Sequence, residues 1–160
     1  MDIQAIFGLQ FLLSIVAWSV VAGFVWSPAL AQKTKHEALL LLSLPHAFRH
    51  IGMAFLVPAM VARPLPEGFA NGAAYGDLAT GLLALLAIVA LRLRWSVALG
   101  LVWLFNLIGT ADLMNALRHV DVAPRFGAVW FIPTMLVPLL LVTHFMMFRR
   151  LVSRKCPKSV

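Results

Sequence analysis

Five runs of about 20 apolar residues, at 3–27, 38–62, 74–92, 95–117 and 126–148, constrain this chain more than any other feature. A helix of that length crosses the hydrocarbon core of a bilayer. In lipid every backbone N–H and C=O must be satisfied inside the protein, which only helices and closed barrels achieve. The sequence therefore predicts an all-α integral membrane bundle of five transmembrane helices. It forms a single domain over residues 1–148, followed by a basic tail at 149–160. Of the 160 residues, 62% are hydrophobic and 12% charged. A soluble domain is nearer half apolar and a quarter charged, so an ordinary soluble protein is excluded.

Basic residues are divided unevenly between the connections. With the N-terminus outside, Lys33, Lys35, Arg92, Arg94, Arg149, Arg150, Arg154, Lys155 and Lys158 fall on the cytoplasmic side, against Arg63, Arg118 and Arg125 on the other. Nine against three satisfies the positive-inside rule. It puts the C-terminus in the cytoplasm and makes a bacterial cytoplasmic (inner) membrane the expected location. The net charge of +7 then reflects topology and attraction to an anionic leaflet, about 1 kcal/mol per tail residue. No nucleic-acid partner is expected. Ala29-Leu30-Ala31 resembles a signal-peptidase site. The apolar run before it lacks Lys and Arg and is longer than a signal-peptide core, so an uncleaved first helix is expected. The single Cys156 excludes an internal disulfide and a Cys-based zinc site.

The longest connection, from Arg63 to Ala74, reads RPLPEGFANGAA, and its prolines and glycines predict a loop. Gly76, Thr80, Ala84 and Ala87 form a small-residue stripe on the third helix, where a neighbour can approach closely. Pro45 and Pro58 in the second helix, and Pro133 and Pro138 in the fifth, predict kinks.

Ionisable groups inside apolar spans mark function by default. The second helix carries Leu44-Pro45-His46-Ala47-Phe48-Arg49-His50. At about 100° per residue, His46, Arg49, His50, Met53 and Val57 share one face. Arg49 cannot shed its charge by deprotonation and needs an acceptor. From a rise of about 1.5 Å per residue, Arg49 and Asn106 lie level about 16 Å from the cytoplasmic ends, with His46 and Trp103 at about 12 Å, His144 at about 6–8 Å and Asp112 at about 25 Å. Two polar levels are therefore expected. The inner one holds His46, Arg49, His50, Asn106 and His144; the outer one holds Asp77, Asp112 and Asn115.

These residues suit an intramembrane pocket for an apolar small molecule of lipid, isoprenoid, sterol or quinone type. Trp18, Phe48, Trp103 and Phe105 are the expected apolar lining. Arg49, Asn106, His144 and Asp77 are expected to meet a polar or anionic head group. A catalytic version would use His46, His50 and Asp112 as general acid–base groups in an isomerase-like reaction. Two further readings are a bis-histidine haem b, with His46 or His50 opposite His144, and proton or ion transport along the Asp, His and Arg groups. His46 and His50 have metal-ligand spacing. The Arg49 cation between them opposes a bound cation, and no metal is expected. The partners expected are the bilayer and the apolar ligand, and a homo-oligomer is allowed.

Overall fold

The computed structural model describes residues 1–153, so Arg154, Lys155, Cys156 and Lys158 of the tail lie outside them. All regular structure among the described residues is helical. Five helices are long and apolar enough to cross a membrane: α1 (Ile3–Ala31), α2 (Lys35–Leu56), α3 (Glu67–Arg92), α4 (Ala98–Arg125) and α5 (Gly127–Val152). Consecutive helices run in opposite directions. The Lys35 ammonium, at the start of α2, donates to the carbonyl of Leu151 at the end of α5 (2.8 Å). That end of the bundle is called the basic end below.

Local chemistry sets the helix limits. Thr34 and Glu37 form a capping box at the start of α2, each side chain accepting from the other residue's backbone N–H. The turn between α3 and α4 closes on Arg94 with φ of 55°. The predicted loop is shorter than expected, because α3 begins at Glu67 and takes in residues up to Ala74. Pro64 and Pro66 end the extended stretch. Glu67 then sits in the first turn, where a carboxylate favours the helix dipole, and Phe69, Ala70, Ala73 and Ala74 are buried at helical spacing.

Two departures from α geometry matter for function. In α2 the α-helix stops at Ser43, and the 13 residues Leu44–Leu56 form a 3-10 helix. Pro45 stands at its start, where a missing N–H is tolerated. The span ends at Leu56 rather than at 62, and Pro58 falls beyond it. In α1 and α5 a π-turn precedes a proline: Ala22–Trp26 before Pro28, and Ile132–Leu136 before Pro138. Ser27 and Val137, just ahead of those prolines, donate to the carbonyls of Ala22 and Ile132, five residues back. The wider turn keeps the backbone bonded where proline has no N–H to give.

The small face of α3, including Thr80, Ala84, Ala87 and Ala90, is buried against its neighbours. Towards the basic end, Leu39, Leu42, Ala87, Leu91, Val102 and Met147 belong to a continuous apolar core. At the opposite end Phe7, Phe55, Phe69 and Phe126 form an aromatic cluster. Helix α1 lies at the periphery: only 11% of its most apolar stretch is buried.

Candidate functional site

Period three, not 3.6, governs the polar segment of α2. In its 3-10 stretch His46, Arg49, Gly52 and Phe55 are buried, as expected where side chains at i and i+3 eclipse. His50 is therefore off the inner face. It is exposed on the bundle surface, and its Nδ1 bonds only the Ala47 carbonyl of its own helix (3.1 Å). The α-helical wheel that joined His50 to His46 and Arg49 does not apply. Met53 and Val57 are likewise exposed.

Arg49 is the largest fully buried side chain in the protein's described residues. Its Nε donates to Asp77 Oδ1 on α3 (2.7 Å), and its Nη2 donates to Asp112 Oδ2 on α4 (2.6 Å). Nη1 donates to the Gly109 carbonyl (3.2 Å) and lies 3.5 Å from His144 Nε2. The two polar levels expected from the sequence thus merge into one cluster. Asn115 is exposed and is not part of it. The 3-10 rise is the physical reason. It adds about 0.5 Å per residue over an α-helix, so the six residues from Leu44 to Arg49 carry the guanidinium about 3 Å further towards Asp112.

Glycines clear the way for the pairs. A Cβ on Gly52 would fall on the Asp77 carboxylate, and one on Gly76 would fall on that of Asp112. At Gly109 a Cβ would crowd Thr80, Arg49 and His144, all within 2.8 Å. Each of three helices is bare where a neighbour's polar side chain crosses it.

Behind Arg49, on the basic side, lie two histidines. The His46 and His144 ring centroids are 4.1 Å apart, and both rings touch Phe105. The Thr143 hydroxyl donates to the backbone carbonyls of Leu139 and Leu140 (3.0 Å each), so it accepts from His46 Nε2 (2.9 Å). That assigns the proton of His46 to Nε2. His46 Nδ1 is left buried with no partner, as is the Thr80 hydroxyl. The Asn106 amide nitrogen donates to the His144 carbonyl (3.4 Å), which leaves Oδ1 to accept from His144 Nδ1 (2.5 Å). His144 Nε2 then presents its lone pair to Arg49. Both imidazoles are neutral in this arrangement, and the ionised cluster of one Arg and two Asp carries a formal charge of −1.

A cavity of about 40 Å³ opens on the other side of the carboxylates. Asp77 and Asp112 contribute its polar floor, and Phe55, Phe69, Phe126 and His119 stand among its walls. His46, His144 and Asn106 do not reach it. Nor do any of the four expected lining residues. Trp18 donates its indole N–H to the Met135 carbonyl and stacks on Trp26, and Trp103 packs beside Phe148. Phe48 is 58% exposed, while Phe105 belongs to the histidine pair. The lining aromatics and His119 carried no signal in the sequence, because they come from segments near the helix ends with ordinary apolar patterning.

A haem between the histidines does not fit. Their rings are in contact and leave no room for a macrocycle between them. Among the described residues no three His, Cys, Asp or Glu side chains gather so as to hold a metal ion.

Neither the curated proteins nor the solved structures contain a match to the chain. The chain belongs to the family described as a domain of unknown function (DUF8737), which matches residues 6–152 and so takes in the whole charge cluster.

Proposed function

We propose that this is an integral membrane protein, N-terminus outside, whose aromatic cavity holds an apolar small molecule by a hydrogen-bond-donating head group seated on Asp77 and Asp112. The observation that carries the reading is the placement of two carboxylates at the floor of a cavity whose other walls, His119 apart, are apolar. They share one guanidinium whose nitrogens already face protein acceptors. An anionic head group would meet net negative charge there and find little of Arg49 to bind. A hydroxyl, as on a sterol, an isoprenoid alcohol or a quinol, can donate to a carboxylate oxygen. The cavity admits about three water-sized groups at 10–15 Å³ each. The head enters, and an apolar tail leaves through the mouth into lipid. With the positive-inside orientation, that mouth lies in the outer half of a bacterial cytoplasmic membrane.

A catalytic version of this reading would rest on Asp77 or Asp112 as the proton-accepting group, because His46 and His144 lie behind Arg49 and His50 faces away. The apolar core at the basic end closes the cluster on that side, which favours a dead-ended pocket over a through-path.

The test uses purified full-length protein in detergent. Organic extracts are analysed by mass spectrometry, and thermal stability is followed with added sterol, polyprenol or quinol and with the O-methyl ether of each. Stabilisation by one hydroxyl compound, absent with its ether and abolished in Ala116→Phe, which fills the cavity wall, is the expected result. Equal stabilisation by alcohol and ether, or none by any of them together with a ligand-free extract, would overturn the proposal.

A further inference from the structure

A second opening lies on the flank of the bundle, far from the carboxylates. It is a groove of about 330 Å³ between α1 and α5, bordered by Ser19, Gly23 and Ser27 on one side and by Phe145, Met146 and Arg149 on the other. The π-turn Ala22–Trp26 shapes the α1 side. Gly23 sits within that turn, and a Cβ there would meet nothing within 4 Å. On α5, Leu141, Val142, Phe145, Met146 and Arg149 follow i, i+1, i+4, i+5 and i+8, so one helical face supplies the wall and ends in a cation.

Arg149 is exposed; its carbonyl accepts from the Ser153 N–H, while its guanidinium bonds no described residue. It differs in this from Lys35 at the same end, whose ammonium is held by the Leu151 and Ser153 carbonyls. An apolar trough that faces lipid and ends in an unpaired guanidinium at the basic end has the form of an anionic-lipid site.

We infer that this groove binds one anionic phospholipid of the basic-end leaflet. An acyl chain lies along Gly23, Leu141, Val142 and Phe145, and the phosphate is paired with Arg149 and within reach of the Ser27 hydroxyl. The inference rests on membrane insertion and is independent of what the aromatic cavity holds. Arg149 is suited to the role because a guanidinium offers a phosphate two parallel donors. The occupant is a lipid and not a free phosphate, because most of the lining is apolar and only its end is charged.

The experiment is native mass spectrometry of the full-length protein, titrated with phosphatidylglycerol or with phosphatidylcholine of the same acyl chains. Wild type is expected to retain one phosphatidylglycerol in preference to phosphatidylcholine. Arg149→Gln should lower that preference about fivefold, the contribution of one basic residue at an anionic surface, and Arg149→Lys should restore most of it. Gly23→Leu, which places a side chain in the trough, should reduce retention of both lipids. Ala116→Phe, in the aromatic cavity, should change neither. An unchanged preference in Arg149→Gln, or undiminished retention in a Gly23→Leu protein with wild-type helicity and elution volume, would overturn the proposal.

Discussion

Replacing Arg49 with Gln removes a charge but leaves two acids behind. In the native cluster Asp77 and Asp112 approach the same guanidinium from different helices, at 2.7 Å and 2.6 Å. Their side chains are only 11% and 17% exposed, so bulk water replaces the lost partner poorly. Removing one member of a buried ion pair costs about 3–5 kcal/mol, and here a single substitution strands both carboxylates and the Gly109 carbonyl. At about 2–4 °C per kcal/mol for a chain of this size, the melting temperature should fall by roughly 6–20 °C. The physical content of the prediction is that the cost comes from uncompensated charge rather than from lost packing. The triple variant Arg49→Gln, Asp77→Asn, Asp112→Asn should therefore be more stable than Arg49→Gln alone, because neutral polar groups replace the whole network. Thermal unfolding of both variants in one detergent, followed by fluorescence-detected size exclusion, measures the difference. An Arg49→Gln protein within about 1 kcal/mol of wild type would refute the reasoning, as would a triple variant no better than the single one.

The other predictions concern space, register and orientation. Gly76→Ala should destabilise by about 1–3 kcal/mol, as overpacking does, because its Cβ falls on the Asp112 carboxylate; equilibrium unfolding measures it, and a neutral effect would mean that α3 and α4 part easily. His50→Leu should stay within about 0.5 kcal/mol of wild type, as surface substitutions do. His46→Leu should cost more than that, because it leaves the Thr143 hydroxyl oxygen without its donor; a large loss in His50→Leu would place His50 back on the inner face. Alkaline phosphatase fused after Val152 should be inactive and fused within the 57–66 connection active, and the reverse pattern would invert the orientation.

How far the fold can be read from the sequence depends on which physical rule decides each feature. Bilayer thickness decides the number of spans, and runs of apolar residues report it directly. The cost of an unpaired buried cation decides that Arg49 must face inward, which follows from the residue type alone. The loop before α3 is shorter than its composition suggests, because glycine and alanine in NGAA punctuate a chain only when nothing buries them; in the fold Ala73 and Ala74 pack inside the bundle, and packing overrides local propensity. The aromatic cavity was illegible for a related reason. Phe55 and Phe69 come from separate helices and Phe126 from the junction between α4 and α5, and no spacing along the chain records that they converge.

In the histidine–arginine segment the period of the helix decides which residues meet, and that period is set by the 3-10 stretch Leu44–Leu56. At 3.6 residues per turn His50 shares the face of His46 and Gly52 lies about 120° away from it, whereas at 3.0 Gly52 lines up with His46 and Arg49 and His50 turns about 120° away. The chemistry of the partners agrees with the second. An inward His50 would set a third imidazole beside a guanidinium that already needs two anions, whereas an inward Gly52 offers the empty space that an approaching carboxylate requires. Gly52 and Gly76 stand on different helices, and each is small where the neighbouring helix brings an aspartate. A buried Arg together with glycines at its own i+3 and on the opposing helix is thus a signature of interlocked ion pairs. It ties the period of the helix to the charges the helix must accommodate: the narrower 3-10 turn carries Arg49 the few ångströms it needs to reach Asp112, and in doing so turns His50 out onto the bundle surface.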